Sequence, residues 1–205
     1  MTGRANGTGR AVRAEKARWR ARLTAARLAI PATERARRAE ALASSAVRLA
    51  AVTGGPVCAY LPVGSEPGSP GLVAALHAAG HEVLLPVVPA DPGPLDWARY
   101  TGPEGLAAGP LGLREPTAER LGVAAIARAR LVLVPALAAD REGRRLGRGG
   151  GYYDRTLPLT AAEVPLVVLL NDDELVDELP AEPHDRRVTA ALLADAGHIP
   201  LRNNS

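Results

Sequence analysis

The stretch Arg144-Arg145-Leu146-Gly147-Arg148-Gly149-Gly150-Gly151-Tyr152-Tyr153-Asp154-Arg155 concentrates more chemistry than any other part of the sequence. Three successive glycines leave backbone N–H groups unshielded, and such amides can curl around an anion. A helix opening near Tyr152 adds the positive end of its dipole to the same place. Arg145 and Arg148 can neutralise phosphate oxygens, and Asp154 can hold a divalent cation that bridges them. A glycine-rich surface turn would explain any one of these glycines. It does not explain three glycines, two tyrosines, an aspartate and their arginines together. Two familiar phosphate fingerprints do not apply. There is no Gly-Lys-Ser/Thr, and Gly147-x-Gly149-x-x-Tyr152 lacks the third glycine of a dinucleotide loop.

The second chemical signal is a single lysine, Lys16, set against 24 arginines. Where nearly every cation is Arg, a retained Lys either marks a place that wants a compact ammonium or survives by chance of composition. Charge is also uneven. Residues 1–50 carry 11 Arg and Lys16 against Glu15, Glu34 and Glu40, and the rest of the chain is net acidic. A basic arm on an acidic body suits nucleic acid or a phosphorylated small molecule, and a solvated helix face is the plainer alternative.

The elements that must position these groups follow from apolar patterning. Ala14 to Ile30 reads as a helix with Trp19, Leu23 and Ile30 on one stripe, and Thr33–Glu34 opens a second helix to about Val52. Strands are expected at Val57–Leu61, Glu82–Val88, Leu95–Thr101, Leu131–Leu137, Val164–Leu170 and Arg187–Leu193. Helices are expected at Pro70–Ala79, Leu121–Arg128 and from Tyr152. Asp140–Gly151 reads as a polar loop directly after a strand, which places it at the carboxyl edge of a sheet, where α/β ligands bind. Continuous apolar strands alternating with helices imply a three-layer α/β sandwich with a mostly parallel sheet and the N-terminal helices packed on it. The 205 residues divide into a disordered basic tail, 1–13, and one domain, 14–205. A lone cysteine, Cys58, excludes an internal disulfide and a zinc knuckle. It reads as a small buried strand residue. No apolar run approaches a membrane span and residues 1–13 have no secretory pattern, so a cytoplasmic setting is expected.

The residues in their order resemble the 5-formyltetrahydrofolate cyclo-ligase (methenyltetrahydrofolate synthetase) family. Its loop RLG-x-G-x-GYYD is matched at every fixed position by Arg145–Asp154. Val134-Pro135-Ala136-Leu137-Ala138-Ala139-Asp140 with Gly143 is similar to its VPGLAFD-x-x-G, with Ala136 in place of Gly and Ala139 in place of Phe. Lys16 and Arg20 match an N-terminal Lys-x-x-x-Arg. Tyr60-Leu61 with Glu66, Gly112–Pro116 and His184-Asp185 before Val188-Thr189 resemble further family elements. The resemblance runs from Lys16 to Thr189.

That resemblance implies ATP-dependent cyclisation of 5-formyltetrahydrofolate to 5,10-methenyltetrahydrofolate, with ATP as co-substrate and Mg²⁺ as cofactor. It assigns Lys16, Arg20, Arg145, Leu146, Gly147, Arg148, Gly149, Gly150, Gly151, Tyr152 and Tyr153 to the nucleotide. Leu61, Glu66, Arg148, Gly149–Gly151 and Tyr152 go to the folate, Arg148 and Tyr152 to catalysis, and Asp154 and Asp185 to the metal. It implies no nucleic-acid or membrane partner and a monomer or weak homodimer. A non-catalytic nucleotide- or RNA-binding relative that uses the basic N-terminal helices is the alternative. Aromatic residues at 3% give that alternative few stacking platforms.

Overall fold

The computed structural model describes residues 4–180 and 186–202. Helix α1 spans Arg4–Ala29 and α2 spans Ala32–Thr53, broken apart at Pro31. Strand β1 is Val57–Cys58, α3 is Pro70–Ala78, β2 is Val83–Val87 and β3 is Asp96–Arg99. A small hairpin follows, β4 Leu106–Ala108 with β5 Arg114–Pro116. Next come β6 Leu131–Pro135, β7 Ala138–Asp140, β8 Arg145–Leu146 and the short helix α4, Tyr152–Thr156. The chain closes with β9 Leu166–Leu170, β10 Leu175–Val176, β11 Ala190–Leu193 and β12 Gly197–Pro200.

Seven strands form the central sheet in the order β12-β11-β9-β6-β1-β2-β3. The five inner strands are parallel, and β12 and β3 are antiparallel edges. Period-two alternation sorts each strand's apolar residues between the two faces. Leu131, Leu133, Val167, Leu169 and Val83 join one core with Leu42, Ala46 and Ala50 of α2 and Leu72, Val73 and Leu76 of α3. Val132, Val134, Leu166, Val168 and Leu84 join the other with Ala125, Ile126 and Leu157. Both faces are covered, which is why the strands read as unbroken apolar runs. The expected mixed α/β sandwich with a mostly parallel sheet is present. Its second face is covered by short 3-10 turns at Val123–Arg128 and Leu157–Leu159, where the sequence suggested an α-helix for residues 121–128.

Three local expectations change. Helix α1 begins at Arg4, ahead of the expected start at Ala14, so residues 4–13 form its first turns. The inward stripe of α1 is also different. Lys16, Leu23 and Arg27 are buried with Arg20 half-buried between them, at the i, i+4, i+7, i+11 spacing of one helix face. Trp19 packs at the side of this stripe, under the Arg22 guanidinium at 3.9 Å. Ile30 lies beyond the helix end.

Asp140–Gly151 is not an open loop. β7 and β8 pair as an antiparallel hairpin, and β10 adds in parallel to make a second, three-stranded sheet. Asp140, fully buried, accepts from the amides of Glu142 (3.0 Å), Arg144 (2.9 Å) and Leu179 (3.0 Å). One carboxylate thus closes the hairpin turn and ties it to the segment after β10. Leu23 of α1 packs on this small sheet against Leu137, Ala138, Leu146 and Leu179.

Candidate active site

A cavity of about 320 Å³ opens at the carboxyl edge of the sheet. Strand order reverses between β1, from which the chain moves outward to β2, and β6, from which it moves outward to β9 and β11. Crevices in parallel sheets form at such reversals. The sequel of β1 contributes Tyr60, Leu61, Val63 and Glu66, β2 contributes Leu85 and Pro86, and the end of β6 contributes Pro135 and Ala136. The wall opposite is the glycine loop, Gly147 to Gly151, continued by Tyr152, Tyr153 and Asp154.

The loop's path depends on two glycines. Gly149 has φ +103°, and Gly151 has φ +68° immediately before α4. Both lie in the region where an L side chain is strained. A Cβ on Gly149 would also sit 3.6 Å from the Arg20 guanidinium. The loop is stitched on several sides. Arg20 Nε of α1 donates to the Gly147 carbonyl at 2.9 Å. Arg155 donates to Gly93 (3.0 Å) and Gly150 (3.1 Å). Arg148 pairs with Glu66 at 2.9 Å and donates to the Val63 carbonyl at 3.1 Å, joining the loop to the sequel of β1. Glu66 in turn accepts from its own Val63 amide at 2.9 Å, which closes a tight turn.

The structure thus brings Leu61, Glu66, Arg145, Gly147, Arg148, Gly149, Gly150, Gly151, Tyr152, Tyr153 and Asp154 around one cavity. Arg20 touches the outer side of the same loop, and Lys16 lies one turn earlier on the same helix face, only 6% exposed. Leu146 departs from expectation. Its side chain is buried against Leu23 and Leu179 on the far side of the hairpin and does not line the cavity. Arg145 is also buried, and its guanidinium is ion-paired with Asp154. Trp97 is core and does not line the cavity. Asp185 and His184 lie outside the described residues.

Tyr153 packs against the core, and among the described residues its buried hydroxyl has no hydrogen-bond partner. Burial, with the Glu66 carboxylate nearby, raises its pKa far above the ordinary phenol value, so it stays protonated. Burial likewise raises the pKa of the Cys58 thiol, a small buried strand residue as the sequence suggested. Sequence reading missed Tyr60, Pro86, Leu113 and Arg114 as cavity residues. It also missed Glu115, which accepts from the Val88 amide at 2.8 Å and holds the β4–β5 hairpin beside β2.

Among the described residues, no three His, Cys, Asp or Glu side chains stand together as a metal cage. Asp154 spends one carboxylate oxygen on Arg145 and is 36% exposed at the cavity wall. One carboxylate with phosphate oxygens is a common donor set for Mg²⁺, so Asp154 fits an ion that arrives with a nucleotide.

The profile of the 5-formyltetrahydrofolate cyclo-ligase family matches residues 12–194. The chain belongs to this family. A 5-formyltetrahydrofolate cyclo-ligase of Mycolicibacterium smegmatis is 46% identical over 191 residues, covering 91% of this chain and 97% of that one. The Escherichia coli K12 cyclo-ligase is 34% identical over 131 residues, 63% of this chain and 72% of its own. In structure, the 5,10-methenyltetrahydrofolate synthetase of Aquifex aeolicus superposes with a TM-score of 0.77 at 25% identity, over 93% of this chain and 94% of that chain. The Mycoplasma pneumoniae synthetase shares the fold, with a TM-score of 0.68 at 18% identity over 86% of this chain and 97% of its own. The cyclo-ligase family matches the resemblance carried by the glycine loop, and it makes this chain a ligase-family enzyme.

Proposed function

We propose that this cavity carries out the ATP-dependent cyclisation of 5-formyltetrahydrofolate to 5,10-methenyltetrahydrofolate, releasing ADP and phosphate. The observation that supports it most is the composition of the cavity. Leu61, Leu85, Pro86, Pro135 and Ala136 offer apolar walls for a flat pterin, and the glycine loop with Arg148 and Glu66 supplies polar groups on one side. Apolar walls with a few convergent polar groups are the usual make-up of a small-molecule site.

A formamide carbon is a poor electrophile, so its oxygen must first become a leaving group. The formyl oxygen attacks the γ-phosphorus of ATP, an O–P bond forms and ADP departs. N10 of the folate then attacks the activated carbon and loses its proton, and the C–O bond breaks to release phosphate. The protein positions the partners and offsets developing charge. In this reading Lys16 and Arg20 hold nucleotide phosphates from α1, and the Gly149–Gly151 amides hold them from the loop. Arg148 faces the transferring phosphoryl group, Tyr152 orients the formyl group, and Glu66 and Leu61 contact the pterin. Arg145 acts indirectly, by fixing Asp154. A bound Mg²⁺ would lie on Asp154, with Asp185 as second ligand, and would neutralise phosphate charge.

The RNA-binding alternative loses ground because Lys16, Arg20 and Arg27 turn inward, leaving less of the basic helix for a nucleic acid. No described helix is long and apolar enough to cross a membrane. Our reading is a cytoplasmic monomer or weak homodimer without a nucleic-acid partner. The test is spectrophotometric: methenyltetrahydrofolate should accumulate only when ATP and magnesium are both supplied. Equal accumulation without nucleotide, or none with it, would refute the reading.

A further inference from the structure

We propose that Arg27 is a positioning residue that sets the nucleotide-carrying helix against the folate pocket. Its side chain is 1% exposed, and Nε donates to Glu174 Oε1 at 2.6 Å. Nη2 donates to Glu174 Oε2 at 2.8 Å and to the Ala136 carbonyl at 2.6 Å. Ala136 lines the cavity directly after the last residue of β6. Glu174 also accepts from the Asn171 amide at 2.9 Å and from Asn171 Nδ2 at 2.8 Å. Asn171 directly follows the last residue of β9. One guanidinium therefore grips the carboxyl ends of two neighbouring strands, of which β6 borders the pocket.

On its other side Arg27 belongs to α1. It shares the inward face with Arg20 and Lys16, two and three turns toward the N-terminus. The helix is continuous from Arg4 to Ala29, so fixing it at Arg27 fixes where Arg20 meets the glycine loop. A plain stabilising role explains this pair poorly. Buried ion pairs are often no more stabilising than apolar residues of similar volume. Among the described residues, Arg27 Nη1 is also buried without a hydrogen-bond partner. What the pair provides is direction: a planar fork that reaches a carboxylate and a carbonyl at once fixes rotation and register, which a leucine cannot.

The inference rests on assigning the nucleotide to the α1 cations and the folate to the cavity. Two variants test it, Arg27→Lys and the double replacement Arg27→Met with Glu174→Met. Both are measured at a temperature where melting curves show them folded. Lysine can reach Glu174 and Ala136 only through one nitrogen, so it loses the two-nitrogen grip on Glu174 that Nε and Nη2 make together. Displacing a catalytic arrangement by about 1 Å can cost on the order of 100-fold. Arg27→Lys should therefore lower kcat/KM on that scale and raise KM for both ATP and 5-formyltetrahydrofolate. The double variant removes both charges and should regain melting temperature without regaining either KM. A double variant with parent-like KM for both substrates would overturn the positioning role and leave only a structural pair, as would an Arg27→Lys enzyme equal to the parent. Failure of the site assignment itself would appear separately, as a Lys16→Met enzyme that keeps the parent's KM for ATP.

Discussion

Lys16 offers the cleanest probe of the nucleotide assignment, provided its burial is respected. At 6% exposure its stem is packed, so alanine would remove contacts as well as charge. Lys16→Met keeps the stem and removes only the ammonium. Losing one charge-assisted phosphate contact costs roughly 1.5–3 kcal/mol, which amounts to about 10- to 150-fold in kcat/KM. Steady-state kinetics should show that loss with a raised KM for ATP. A parent-like KM would return Lys16 to a packing role. Asp154 is the second residue to probe. It is the third residue of α4, and the helix is capped by Gly151, so the carboxylate does not serve as a cap. Its partner is the buried Arg145. Asp154→Asn can still accept a hydrogen bond from Arg145 but loses half of the ion pair and the proposed metal ligand. Turnover should fall and the Mg²⁺ concentration for half-maximal rate should rise. If the role is only to satisfy Arg145, the melting temperature drops while the magnesium curves of the two proteins coincide.

The strands and α2 were readable because their burial is decided by local pattern. Leu131–Pro135 and Leu166–Leu170 are continuous apolar runs, and Leu42, Ala46 and Ala50 recur at four-residue spacing on α2. Helix α1 was misread for a physical reason. Its inward positions are mostly cations, and only distant partners such as Gly147, Ala136 and Glu174 make burying them tolerable. The β7–β8 hairpin was hidden in the same way. Its second strand consists of Arg145 and Leu146 beside glycines and reads as loop. The Asp140 carboxylate that fixes the turn also takes a partner, Leu179, that is distant in sequence. A prediction belongs at this scale. Leu146→Ala removes a side chain held between α1 and the hairpin, so it should destabilise the fold by about 2–5 kcal/mol. Denaturant titration would show this, and the folded enzyme should keep its KM for ATP. A raised KM with unchanged stability would place Leu146 back among the nucleotide contacts.

Across the whole molecule, the site is assembled from segments that no sequence window contains. The glycine loop was legible by itself, because its residue types have few other uses together. Which groups meet it was not. The sequel of β1 brings Glu66 to Arg148 at the reversal of strand order between β1 and β6, and α1 brings Arg20 to Gly147. The Arg148–Glu66 pair spans the cavity wall between the loop and the sequel of β1, joining a group proposed for the phosphoryl transfer to one proposed for the pterin. In the proposed reading the phosphoryl group and the formyl group meet there. The central claim is therefore that the formyl oxygen itself receives the phosphoryl group. It is tested most directly with 5-formyltetrahydrofolate whose formyl oxygen is a heavy isotope, turned over with ordinary ATP in ordinary water. Mass analysis of the released inorganic phosphate should find one heavy oxygen in each phosphate formed during methenyl production. Phosphate carrying no heavy oxygen, with the label recovered in water, would contradict the account.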